Sequence, residues 1–379
     1  YRDSMEAVVP PSHGNLNYVY RVWDGKGHSI YIKQAGSEAR ISKDIKPSRD
    51  RNRLESEILM LEDQYAPGMV PHVYFFDTVM CACGMEDCSD YAVMRDAMLK
   101  HETFPRFAED VSTFMVNTLL LSSDVVMDHK EKKELVKKFI SPDLCDITEK
   151  LVLMEPYMDL YDRNNVYGPN RDFVKKELYE DEALHLEVSK LKFRFMTDAQ
   201  ALLHGDLHTG SIFIRQDSTK IFDCEFGTYA PMGYDVGNVV ANLIFAYDNG
   251  LSTDDGPFCD WCLKTIEETV DLFIEKFGRK YDEAVTEPMA KVKGFKEWYF
   301  DGILKDTAGY AGTELHRRTV GMANVVDVTT IQDEKKRLLA ERINILAGKE
   351  YIMNQGAFRT CADYVAAVLR AKEAAQKTL

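Results

Sequence analysis

The feature that most constrains this chain is a change of period in its apolar residues near residue 84. Before it, 18–23 and 29–32 alternate as half-buried strands do, and the short apolar runs 73–76 and 78–83 read as two more strands. The turn Asp24-Gly25-Lys26-Gly27 joins the first two. A helix is predicted over 48–64, capped by Ser48 and with Leu54, Ile58 and Leu61 on one stripe, and Pro67-Gly68 ends it. The strand pattern then gives way to the acidic, polar run Met85-Glu86-Asp87-Cys88-Ser89-Asp90, which suits a hinge. Beyond it, apolar residues recur at three- and four-residue spacing over 107–121, 130–139, 173–203, 258–277, 283–308 and 335–346. This pattern predicts an α+β fold, with a small antiparallel-sheet N-lobe at 1–84 and a large helical C-lobe at 85–379.

Composition narrows the partners. The 379 residues carry a net charge of −15, whereas nucleic acid and anionic membrane surfaces demand clustered Lys and Arg. Neither is an expected partner, and any phosphate site must be local. No apolar run nears the roughly 20 residues of a membrane span; the nearest, 239–247, is interrupted by Asn242. The eight cysteines are too sparse for a secreted disulfide framework, and neither Cys81-Cys83-Cys88 nor Cys259-Cys262 has a second ligand pair at zinc-finger spacing. Reduced, partly buried thiols in a cytosolic protein are the expectation. The chain begins at Tyr1 rather than Met, so a preceding targeting segment stays open.

The chemistry concentrates in residues 201–237, ALLHGDLHTGSIFIRQDSTKIFDCEFGTYAPMGYDVG. Apolar runs at 211–214 and 221–222, with a polar turn between them, predict a hairpin flanked by Asp206 on one side and by Asp223 and Glu225 on the other. Strands fix side-chain direction, so such a hairpin holds a base and a metal close together. Asp206 is expected to accept a proton from, or orient, an attacking hydroxyl. Asp223 and Glu225, two residues apart on one strand face, are expected to hold Mg²⁺ against nucleotide phosphates, with Lys33 at the end of the second strand neutralising them further. The polar loop Gly14-Asn15-Leu16-Asn17 is placed to lie over phosphates through its N–H groups. Glu55 and Glu57 both qualify as the partner of Lys33, and spacing does not choose between them. His204 is expected to hold the catalytic loop rather than carry a proton, and His208 to do the same or lie exposed. Asp235, just before an apolar helix, reads as its cap and as a loop anchor.

These residues carry a resemblance. HGDLHTGSI at 204–212 and FDCEFGTYAPMGYDVGN at 222–238 resemble the catalytic and metal loops of the 5-methylthioribose kinase family, within the aminoglycoside phosphotransferase and protein-kinase-like fold. GNLNYVYRV at 14–22 resembles that family's glycine-loop stretch, IKQA at 32–35 its lysine strand and MEDCSD at 85–90 its hinge. Two further segments, 141–157 and 306–328, are also similar.

The resemblance implies transfer of the ATP γ-phosphoryl group to the anomeric hydroxyl of 5-methylthioribose, in methionine salvage, by a cytoplasmic homodimer. It gives Asp206 the catalytic role, Asp223 and Glu225 the metal, Lys33 the ATP phosphates, and Asn15 and Asn17 a place in the nucleotide loop. Backbone groups of Met85, Glu86 and Asp87 would receive adenine, and Arg317 and Arg318 the sugar and the transferred phosphate. Gly309, Gly312 and Gly321 around that pair suggest close packing, and guanidinium suits fixed hydroxyl and phosphate geometry. Five residues after Asp206, where antibiotic and protein kinases carry a metal-binding asparagine, this chain has Ser211, in agreement with the methylthioribose kinase pattern. His13 stands where an acidic residue is expected. The alternatives are a kinase of the same fold acting on choline, homoserine or an aminoglycoside, and a non-catalytic nucleotide-binding pseudokinase. The presence of Lys33, Asp206, Asp223 and Glu225 disfavours the second.

Overall fold

The computed structural model describes residues 5–8, 17–36 and 50–379. Strands β1 (Met5–Val8), β2 (Asn17–Asp24), β3 (Ser29–Ala35), β4 (Val73–Asp77) and β5 (Ala82–Glu86) form an antiparallel sheet in the order β1-β2-β3-β5-β4. The register pairs Lys33 with Val19 on one side and Cys83 on the other, so the lysine rises from the central strand. Gly84 lies under the ring of Phe75, where a Cβ would come within 2.2 Å of Cε1. The strand expected at 78–83 begins instead at Ala82. Asp77 accepts from the N–H groups of Val79 and Met80, and this turn takes residues whose apolar character alone reads as strand.

Helix α1 (Asp50–Tyr65) packs on this sheet through buried Leu54, Ile58 and Leu59. Its Asn52 amide donates to the carbonyls of Lys33 at 3.0 Å and Cys81 at 2.6 Å, which ties the helix to the sheet backbone. The expected Ser48 cap, His13 and the loop through Asn15 lie outside the described residues.

The helical lobe contains α2 (Phe107–Leu121), α3 (Glu182–Thr197), α4 (Gly233–Ser252), α5 (Gly256–Ala284), α6 (Phe295–Val320), α7 (Glu334–Met353) and α8 (Cys361–Gln376). Helix α4 is its axis, buried at every residue from Gly233 to Gly250. The apolar run around Asn242 is therefore covered by α5, α6 and α7. Among the described residues no helix is long and apolar enough to cross a membrane. Glycines set the helix spacing. A Cβ at Gly237 would meet the Ala311 nitrogen of α6 at 2.6 Å, and one at Gly312 the Gly348 carbonyl of α7 at 2.5 Å.

Two expected helices are divided. Over 173–203, Asp181 accepts from Leu184 N and starts α3 afresh, and the helix stops at Thr197. Over 283–308, Pro288 and the left-handed Gly294 (φ +88) separate α5 from α6. Turns that pack inward keep the apolar spacing, so the period runs through both junctions. Between the lobes, β8 (Ile212–Ile214) and β9 (Thr219–Ile221) form the expected antiparallel hairpin, with β6 (Ala92–Val93) added to β8, while β7 (Ala201–Leu202) pairs with β10 (Tyr229–Ala230). The fold is α+β, with a small antiparallel-sheet lobe and a large helical one.

Candidate active site

The Lys33 ammonium sits 2.6 Å from Glu55 Oε1 on α1 and also contacts Asp223 Oδ1. Glu57 instead pairs with Arg53 and Lys138, each at 2.9 Å, so the tertiary structure selects Glu55. Burial alone would lower the Lys33 pKa, but Asp223, Glu55 and Glu225 outweigh it and hold the group charged, well above its usual value. Ligand oxygens of Glu55, Asp223 and Glu225 all lie within 4.8 Å of one another. Burial, and then the neighbouring Asp223 charge, push Glu225 up to about 8. Asn17 donates to Glu225 at 3.2 Å and accepts from Arg51 at 3.0 Å. An all-carboxylate oxygen set short of positive charge has the chemistry of a hard divalent cation site.

Their spacing puts Asp223 and Glu225 on one strand face, but the structure does not. Strand β9 ends at Ile221, and Asp223 takes a left-handed conformation (φ +68) in the turn that follows. That turn, rather than pleat alternation, brings both carboxylates to Lys33.

The loop carrying Asp206 is fixed from several sides. Asp235 accepts from His204 N at 2.7 Å and Gly205 N at 3.0 Å, so it anchors the loop as expected. It does not cap α4; it lies in the first turn of that helix, and the N-cap position is Met232. Gly205 has φ +85, and a Cβ there would meet the Phe226 carbonyl at 2.2 Å. His204 bonds the Phe222 carbonyl through Nε2 (2.9 Å) and accepts from Asp206 N through Nδ1 (3.3 Å), joining the Asp206 loop to the residue before Asp223. Burial lowers its pKa to about 4, consistent with a neutral structural ring. His208 is half-buried; its Nε2 lies 3.1 Å from Asp206 Oδ2 and its Nδ1 3.1 Å from Ser211 Oγ. Ser211 thus faces His208 from a buried position.

Asp206 meets the arginine pair of α6. Arg317 Nη2 is 2.5 Å and Arg318 Nη2 is 3.3 Å from Asp206 Oδ1. Burial would raise this carboxyl, but His208, Arg317 and Arg318 together hold it well below the usual range. An apolar cavity of about 50 Å³ opens beside it, walled by Ile147, Leu151, Val152, Phe226 and Met322.

The expected hinge residues are partly engaged. Glu86 N donates to the His72 carbonyl at 2.8 Å and its carboxylate pairs with Lys220 at 2.8 Å, while Asp87 pairs with Arg21 at 2.7 Å and Met85 lies in β5 opposite Tyr31. Two residues escaped the sequence reading. Arg95 donates to Asn242 at 3.0 Å and Thr209 at 3.3 Å behind the catalytic loop, and Glu314 contacts both Arg317 and Arg318. Glu314 precedes the arginines by three and four residues, a spacing that joins them only on a helix, and the expected helix ends at 308, short of them. Arg95 left no local signal. All eight cysteines are free thiols.

Residues 143–257 match the phosphotransferase enzyme family. The chain is 36% identical over 355 residues to a methylthioribose kinase of Bacillus pumilus (strain SAFR-032), covering 93% of this chain and 88% of that protein. It is 37% identical over 344 residues to one of Geobacillus sp. (strain WCH70), covering 90% and 84%. Among solved structures, choline kinase from Cryptosporidium parvum Iowa II superposes with a TM-score of 0.48 at 11% identity, over 100% of this chain and 92% of that one.

Proposed function

The chain belongs to the methylthioribose kinase family, and we propose that it transfers the γ-phosphoryl group of ATP to the 1-hydroxyl of 5-methylthioribose. The observation that carries this reading is the pairing of Asp206 with two guanidiniums beside an apolar wall. Guanidiniums suit sugar hydroxyls and a phosphoryl group, and the apolar wall suits a methylthio substituent. The two guanidiniums at Asp206 disfavour the cationic acceptors choline and an aminoglycoside by like-charge repulsion.

In this reading Asp206 orients the attacking hydroxyl and takes its proton as the O–P bond forms and the bond to ADP breaks. Its depressed basicity favours orientation early and proton acceptance late, when the hydroxyl has become acidic. Lys33, fixed by Glu55, faces the phosphates. Asp223 and Glu225 would hold Mg²⁺, which neutralises phosphate oxygens when bound; the oxygen donor set fits it. Asn17 orients Glu225, while Asn15 belongs to the loop expected over the phosphates. Adenine would be received by backbone groups of Met85 and Asp87, with Glu86 N already engaged. Residues 1–84 would act as the nucleotide lobe and 85–379 as the acceptor lobe, in a cytoplasmic homodimer.

The test is incubation with ATP, Mg²⁺ and a panel of methylthioribose, choline, homoserine and aminoglycosides, with Asp206→Asn as the inactive control. Turnover of methylthioribose alone is expected. Turnover of choline or an aminoglycoside without methylthioribose would overturn the assignment.

A further inference from the structure

We infer that Glu314 is the positioning residue that sets the arginine pair on Asp206, acting through Arg317 and Arg318 rather than on the substrate; the inference rests on the phosphoryl-transfer reading above. Glu314 is 0% exposed and lies on α6, one turn before the arginines. Its Oε2 contacts Arg317 Nε, and its Oε1 lies 3.2 Å from Arg318 Nε. Because each guanidinium is held by its Nε edge, an Nη2 of each is left free to converge on the single oxygen Asp206 Oδ1.

Convergence needs such a device. Consecutive residues of an α-helix point about 100° apart, so neighbouring arginines diverge unless something gathers them. Two guanidiniums at one carboxylate oxygen also repel each other, and an anion between their stems offsets that repulsion most where water is excluded. Burial would raise the Glu314 pKa, but the two arginines outweigh it and keep the group ionised.

Glu314 is itself oriented. Asn242 Nδ2 donates to its Oε1 at 3.4 Å, while Asn242 Oδ1 accepts from Arg95 Nη2 at 3.0 Å and Thr209 Oγ1 at 3.3 Å. Thr209 lies three residues after Asp206, so the chain of contacts runs from the catalytic loop through α4 and α6 back to the carboxylate. The asparagine that interrupts the apolar run 239–247 thereby has a physical reason: it carries the orientation of the loop to Glu314 across the buried axis of the lobe.

The experiment uses the full chain with ATP, Mg²⁺ and methylthioribose. Glu314→Gln is expected to lower kcat about 10- to 100-fold, the scale for outer partners that orient catalytic groups. The KM for ATP should stay within about twofold, because the Lys33 cluster is untouched. In an Arg317→Ala background the same substitution should cost at least about threefold less than in the wild type, since part of what it acts through is gone. An undiminished loss in that background, or a kcat loss accompanied by an equal rise in the KM for ATP, overturns the inference and leaves Glu314 a core ion pair only. Should Glu314→Gln not fold, Glu314→Asp, which keeps the charge one methylene short, goes through the same cycle with the same two outcomes. Failure of the substrate assignment is separate: the wild type would then leave methylthioribose unphosphorylated, and the cycle would be read with the acceptor that the panel identifies.

Discussion

Around Lys33, the carboxylates Glu55, Asp223 and Glu225 crowd within 4.8 Å of one another against one ammonium and the nearby Arg51. Around Asp206 the arrangement is reversed, with two guanidiniums converging on a single carboxylate oxygen. The first cluster is short of positive charge, and burial together with Asp223 raises Glu225. The second is cation-rich at its tip and keeps its carboxylate firmly ionised. A cluster of the first kind takes up a cation, whereas one of the second kind offers directed donors to hydroxyl and phosphoryl oxygens. The two clusters stand on adjacent loops, which His204 joins through the Phe222 carbonyl on one and Asp206 N on the other.

Two substitutions break this contrast, and two outside the clusters set its bounds. Asp206→Asn removes the carboxylate that both arginine Nη2 groups reach and should lower kcat by about 10²- to 10⁴-fold; a variant with near-full rate in a steady-state kinase assay would remove Asp206 from the mechanism. Lys33→Met leaves the carboxylates of the first cluster without their ammonium and should cost about 3–5 kcal/mol in denaturant unfolding. Millimolar Mg²⁺ should restore part of that loss by supplying the missing charge, and no restoration would argue against a metal site there.

Outside both clusters, Asp306 is a pH probe. Burial pushes it from 3.8 to about 7, with Arg194 pulling the other way. Its folded value lies above its unfolded one, so the native state holds a proton that the unfolded chain releases. The resulting stability is full below about pH 4 and is lost as pH rises through about 7. Unfolding midpoints at pH 5 and pH 8 should therefore differ less in Asp306→Asn than in the wild type. The smallest effect is expected from Glu57→Gln. Its partly exposed pairs with Arg53 and Lys138 are of a kind worth about 0–1 kcal/mol, so activity should stay within about twofold of wild type. A large loss of activity would reopen the choice between Glu55 and Glu57.

The site was legible where chemistry is local. The hairpin between Asp206 and Asp223 follows from two apolar runs around a polar turn, and the place of His204 two residues before Asp206 suits a loop holder. The turn at Asp223 was not legible, because a left-handed residue after a short strand leaves the spacing of a continuing strand intact. The choice of Glu55 over Glu57 depended on the rotation of α1 against β3, which Asn52 fixes through the Lys33 and Cys81 carbonyls. Arg95 reaches the catalytic loop from more than a hundred residues away, and nothing near it in the chain announces that.

The sequence by itself determined the order of a small sheet lobe and a helical lobe, the identities of the acids, the lysine and the arginine pair, and the family to which they belong. Strand and helix periods are properties of neighbouring residues, so they can be read along the chain. Only the tertiary structure decided which glutamate meets Lys33, how Asp223 and Glu225 come together, and that Glu314 draws Arg317 and Arg318 onto Asp206. Those outcomes depend on the rotation and close approach of whole elements, set by Asn52 at the α1–sheet contact and by glycines between α4, α6 and α7. Electrostatic contact follows distance in space, which spacing in the chain does not fix.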